Sequence, residues 1–283
     1  MASFSSRETE SKALAQRDEI SSVVTSIVNK YWIGYPSYVT DSYIKRHVFE
    51  IGLLLRSLGD IKDKSVVDVG GGWGLFAASC SALGMKSTLV EDFGDPGKSD
   101  TGDPRQSLPD DYGVTVMHKD VIKEGFGLPP DSIDAFTTFD MVEHLHASPK
   151  QLFHDAMKAL RTNGLFLLGV PNSVNLRKRI TVPLGKGNWS HFPDWYEKKV
   201  FRGHVREPDV HDLKKIAQDI SLSEHKILGR NWLSYMSQRY IIRTASKIAE
   251  RTLNLFPSLC SNLYLLGWKQ QDYLPELVNF RTF

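Results

Sequence analysis

An α/β fold is predicted by this sequence: an open, mostly parallel sheet with helices on both faces. Two observations predict it. From residue 65 onward, short runs rich in branched residues alternate with segments of helical periodicity. Within that alternation, Val66-Val67-Asp68-Val69-Gly70-Gly71-Gly72-Trp73-Gly74 reads as a buried strand ending in an acid and a glycine turn, with a helix from Leu75. A hydrophobic content of 41% over 283 residues is enough for a sizeable core.

The first ten or so residues are polar and are expected to stay outside the fold. Ile20, Val23, Val24, Ile27, Val28 and Tyr31 then recur at helical spacing. The stretch 32–40 interrupts them with glycine and proline, and Asp41 or Ser42 can cap a second helix that Gly59 ends. Residues 1–60 are therefore expected to form a lid or edge of two helices, and 61–283 the main domain.

Strands are expected at 65–69, 87–91, 114–118, 133–139 and 164–170, and helices at 75–84 and 149–161. The stretch 93–112 is rich in Gly, Pro and Asp, which argues against a full crossover helix there. An insertion, 172–208, carries little periodicity. A helix over 209–220, a strand near 222–229, a helix at 235–255 and a strand at 262–268 complete the order.

The net charge of +2 gives no footprint of a nucleic-acid binder. Two cysteines without companions at metal-ligand spacing suit a reduced, cytoplasmic protein. The start of the chain lacks the apolar core of a secretory signal, and no stretch has the ~18–20 apolar residues of a membrane span. Arg239, Arg243, Lys247 and Arg251 form a basic stripe on helix 235–255, which would suit peripheral contact with the inner face of a membrane.

The glycine run alone leaves the ligand open, because Gly72-Trp73-Gly74-Leu75-Phe76-Ala77 also fits the dinucleotide pattern G-x-G-x-x-A of NAD(P)-dependent oxidoreductases. Glu91, at the end of the second strand, could accept hydrogen bonds from ribose hydroxyls of either cofactor class. The following segments are more selective. D-x-G-x-G-x-G from Asp68, Asp120-Val121 after the third strand, Leu128-Pro129 leading to Ser132-Ile133-Asp134, and Val142-Glu143-His144-Leu145 after the fourth strand together resemble class I S-adenosylmethionine-dependent methyltransferases. Val170-Pro171-Asn172 and Gly203-His204-Val205-Arg206 are similar to the quinone-biosynthesis O-methyltransferases and the glycan and natural-product enzymes of that class.

That resemblance implies a Rossmann-like, seven-stranded, mostly parallel sheet with its last strand antiparallel. It implies S-adenosyl-L-methionine as cofactor, bound by Asp68, Gly70, Gly71, Gly72, Glu91, Asp120, Val121 and Phe139. His144 and His204 are the candidate general bases, since imidazole titrates near neutrality. Asp140, Glu143 and His144 resemble an acidic-x-x-Glu-His group that holds a divalent cation, for which Mg²⁺, Mn²⁺ or Zn²⁺ would serve. The expected reaction is O-methylation of a small-molecule or glycan-like acceptor, with N-methylation of an amino sugar next. A non-catalytic partner protein of the same fold is the alternative. Aromatic residues in the insertion (Trp189, Phe192, Trp195, Tyr196, Phe201) stand among eight bases, from Arg177 to Arg206, a setting that suits an acidic acceptor.

Overall fold

The structure, a computed structural model, describes residues 2–31, 37–92, 104–187, 190–232, 252–271 and 273. Trp189, residues 93–103 of the second crossover and the basic stripe of helix 235–255 lie outside the described residues.

Seven strands form one sheet in the order β3-β2-β1-β4-β5-β7-β6. They are β1 (Ser65–Val69), β2 (Lys86–Glu91), β3 (Thr115–His118), β4 (Ile133–Phe139), β5 (Leu160–Pro171), β6 (Leu222–Arg230) and β7 (Asn262–Lys269). The pairs β1–β2, β2–β3, β1–β4 and β4–β5 are parallel, whereas β7 runs antiparallel to both β5 and β6. This is the Rossmann-like class I methyltransferase arrangement. The strand order turns back between β1 and β4, which opens a crevice at the carboxyl ends of those strands, where ligands of such sheets bind.

The helices are α1 (Ala2–Tyr31), α2 (Ser37–Leu58), α3 (Leu75–Ala82), α4 (Leu108–Tyr112), α5 (Val121–Glu124), α6 (Lys150–Ala159), α7 (Leu176–Thr181), α8 (Phe192–Tyr196) and α9 (Val210–Asp219). One face of the sheet packs with α1, α2 and α3, through residues such as Ile20, Val24, Ile51, Leu54 and Phe76. The other face packs with α6 and α9, through Leu152, Phe153, Met157 and Leu213. Cys80 and Cys260 are buried and unbridged.

Three boundaries differ from the expectations by four residues or more. Helix α1 begins at Ala2, so the polar leader continues the helix. Helix α2 begins at Ser37, which places Asp41 and Ser42 inside it and leaves neither as its cap; Ser42 is 4% exposed, buried against the core. Strand β5 begins at Leu160, because Ile133 pairs with Leu160 before a register shift sets Ala135 against Leu165. The insertion holds two short helices, α7 and α8. Its ends are joined where Ser173 N–H donates to Pro208 O at 3.2 Å, and its start is tied to the residue before β7, where Asn172 N–H donates to Ser261 O at 2.8 Å.

Candidate active site

The turn after β1 depends on backbone that favours glycine. Gly70, Gly72 and Gly74 have φ of +67°, +56° and +77°. A Cβ on Gly71 would overlap Asp68 Oδ2 and lie 2.8 Å from Leu89 Cδ1. Asp68 is 1% exposed. Its Oδ1 accepts from Thr137 Oγ1 at 2.9 Å, and its Oδ2 has no partner. Burial raises its carboxyl from the ordinary 3.8 to about 7, against the lowering effect of Thr137. Gly72 N–H donates to Glu91 Oε2 at 2.9 Å, so the acid at the end of β2 fixes the turn as well as facing the crevice.

Two cavities flank this turn and share Gly70, Gly72 and Asp140. One, of about 350 Å³, lies under α2 against Asp68, Gly71, Phe139, Arg46 and His47. The other, of about 600 Å³, reaches Glu91, Asp120, Val121 and His144. Asp120 is engaged locally: its Oδ1 accepts from Ile122 N–H and Lys123 N–H, both at 3.1 Å, and caps α5. Phe139 packs against Phe76 with the rings tilted at 60° and their centroids 5.0 Å apart.

A third cavity, of about 340 Å³, meets the first at Arg46 and Asp140. Glu143, Lys178, His204, Glu207 and Trp232 also line it. Asp140 therefore borders all three spaces. Its backbone lies at φ +48°, held by its N–H donating to Gly169 O at 3.0 Å. Asp140 is ion-paired with Arg46, whose Nε also donates to Glu50 Oε1 at 2.7 Å. Glu50 Oε1 accepts from Tyr264 Oη at 2.9 Å, and Tyr264 accepts from Trp232 Nε1 at 2.6 Å. This buried chain ties α2 to the sheet and holds Arg46 over the crevice. Its one local signal in the sequence is the i,i+4 spacing of Arg46 and Glu50.

The 3-10 turn Val142–His144 carries Glu143, which is fully buried with both carboxylate oxygens unpartnered. Burial, then the neighbouring Asp140, push its carboxyl far above the carboxylate range. His204 Nε2 lies 3.9 Å from Glu143 Oε1. His204 Nδ1 sits 2.7 Å from Glu207 Oε1, and Glu207 is also paired with the buried Lys178. His144 Nδ1 faces Gly203 O at 3.3 Å, and the two imidazole rings stand 4.8 Å apart, edge to face. Burial and His204 lower the pKa of His144. The topology thus brings both candidate bases to one corner.

The expected metal group requires correction. Asp140 does not converge with Glu143 and His144: its Oδ2 is paired with Arg46, and its Oδ1, buried without a partner, is not among the ligand atoms that come together there. Among the described residues, those offering ligand atoms within 4.8 Å of one another are Glu143, His144 and His204.

The basic character of the insertion is also reduced by local pairing. Lys178 serves Glu207, Lys198 pairs with Asp194, Arg206 pairs with Asp212, and Arg179 Nε donates to Val174 O at 2.7 Å. Arg177 and Arg202 line a further cavity of about 410 Å³ beside His204. Next to it an apolar cavity of about 700 Å³ is formed by Phe192, Trp195, Phe201 and Val205.

Fold and crevice together define an α/β enzyme of the nucleotide-cofactor kind, with a cofactor cleft joined to a second chamber. A family model described as a methyltransferase domain matches residues 43–223, more than half of the chain, and this chain belongs to that family. The choice left open by the glycine turn is thereby decided against an oxidoreductase. No curated protein matches the chain. Among solved structures, a SAM-dependent methyltransferase from Archaeoglobus fulgidus is similar at 18% identity and a TM-score of 0.50, covering 79% of this chain and 94% of that one. The phosphoethanolamine N-methyltransferase 2 of Haemonchus contortus, in complex with S-adenosyl-L-methionine, is similar at 13% identity and a TM-score of 0.51, covering 78% of this chain and 52% of that one. At such identities the likeness establishes the shared fold. Among the described residues, no helix is long and apolar enough to cross a membrane.

Proposed function

We propose that this methyltransferase moves the methyl group of S-adenosylmethionine to an oxygen of a small-molecule or glycan-like acceptor. The observation that carries the reading is Asp140, which borders both spaces beside the glycine turn and the chamber opposite them. In this reading the amino-acid end of the donor lies under α2, beside Asp68, Gly71 and Phe139. Its adenosine extends past Glu91 towards Asp120 and Val121. The acceptor enters the chamber lined by Glu143 and His204.

The sulfonium methyl is already activated, so the chain's main tasks are to align the acceptor with it and to exclude water. Residues 1–60 act as the cover, with Arg46 fixed over the crevice by Glu50 and Asp140. The proton of an acceptor hydroxyl passes to the corner formed by Glu143, His144 and His204. Arg177 and Arg202 suit an acceptor carrying a carboxylate or phosphate. A second reading, N-methylation of an amino sugar, is favoured by the carboxylates Asp140, Glu143 and Glu207 around the same chamber.

Calorimetry with S-adenosylhomocysteine tests the donor site: one molecule is expected per chain, and no binding would refute the reading. Transfer of labelled methyl groups to paired hydroxyl and amino acceptors then separates the two reactions.

A further inference from the structure

We propose that Glu143, His144 and His204 form a binding site for a transition-series dication such as Zn²⁺. The donor set is one carboxylate and two imidazoles, which suits Zn²⁺ and its neighbours better than Mg²⁺ or Ca²⁺. It differs from the group expected from sequence, because a histidine from the insertion stands in for Asp140.

Three features support the site. First, Glu143 is fully buried and neither oxygen has a hydrogen-bond partner. A carboxyl in that state is costly, and a cation beside it removes the cost. Second, both imidazoles are oriented through Nδ1. The partners, Glu207 Oε1 at 2.7 Å and Gly203 O at 3.3 Å, can only accept, so in the neutral ring Nδ1 is the nitrogen that carries the proton and Nε2 the one with the lone pair. Metal-binding histidines are held in this way, by a carboxylate or a backbone carbonyl on the far nitrogen. Lys178 anchors Glu207 in turn, giving His204 a second layer of support.

Third, the distances allow closure. One ligand atom from each residue lies within 4.8 Å of the others. Around an ion with bonds of about 2.0–2.1 Å, tetrahedral donors stand roughly 3.4 Å apart. Side-chain rotations that draw the donors in by about 1.5 Å would complete three positions and leave the fourth open. Glu143 and His204 also line the proposed acceptor chamber. An ion there would polarise an acceptor oxygen, in place of a histidine base. That role rests on the acceptor reading above; the binding site does not.

The test uses the full chain stripped with EDTA and free of methyl donor. Zn²⁺ is titrated by calorimetry and Co²⁺ by visible absorption. One ion per chain is expected. Glu143→Gln and His204→Ala should each weaken binding at least about tenfold, and Glu207→Gln about ten- to a hundredfold. Absence of saturable binding to the wild-type chain overturns the site, as does unchanged affinity in both Glu143→Gln and His204→Ala. Should a variant fail to fold, the wild-type titration decides. S-adenosylhomocysteine binding is measured on the same stripped protein; its loss would count against the donor reading and leave the metal result standing.

Discussion

Asp68→Asn isolates the cost of the buried acid under the glycine turn. The native protein binds a proton at Asp68 more tightly than the unfolded chain does, because burial raises the carboxyl from 3.8 to about 7. The stabilising contribution of that proton is complete below 3.8 and is lost as pH rises through 7. Linkage gives the size: between pH 5 and pH 8.5, Asp68 should remove about 3 kcal/mol of stability from the wild type. Asparagine keeps an acceptor for Thr137 and cannot ionise. Whatever packing change it causes is the same at both pH values, and other titrating groups cancel in the comparison. Urea unfolding of both proteins at pH 5 and pH 8.5 measures the difference of differences. The variant should gain about 3 kcal/mol relative to the wild type on moving to the higher pH. An equal stability difference at the two pH values would refute the claim that Asp68 is charged at a cost.

Other perturbations probe the neighbouring parts. Gly71→Ala brings a methyl group into Asp68 and Leu89, an overpacking worth about 1–3 kcal/mol, and calorimetry should show S-adenosylhomocysteine binding weakened by about tenfold or more. Arg46→Gln leaves Glu50, 1% exposed, without its cation; a loss of about 3–5 kcal/mol is expected in denaturant melts. Phe192→Ala with Trp195→Ala removes side chains that are 61% and 60% exposed, so thermal stability and donor binding should hold while the KM for the acceptor rises.

Much of the fold was legible because it rests on local patterns. The branched run before Gly70, β4 and the part of β5 from Gly164 onward are buried on both faces, and their order with the helices leaves few topologies. The start of α2 is not legible locally: Asp41 and Ser42 are good caps in isolation, but the helix begins at Ser37 and places both inside it, Ser42 buried and Asp41 exposed. Within the site, the glycine turn was legible for the same local reason. The links of Arg46 to Asp140, Glu143 to His204 and Lys178 to Glu207 were not. Each joins residues far apart in sequence, and only the packing of α2, the turn after β4 and the insertion sets their distances. His204 and Glu207 are the exception: three residues apart, they could have been paired from sequence.

The hydrogen bond between Ser173 and Pro208 makes the intervening segment a closed module whose ends are fixed whatever its interior contains. Loop closure depends only weakly on length, with a doubling costing about 0.6 kcal/mol. On the proposed reading, exchanging that module between chains of this architecture would change the acceptor side, and it would also replace Val200, Phe201 and Arg202, which line the cavity that reaches Glu91 and Asp120. Such a graft should carry His204 and Glu207 with it, and leave Glu143 to meet whatever histidine the new module supplies.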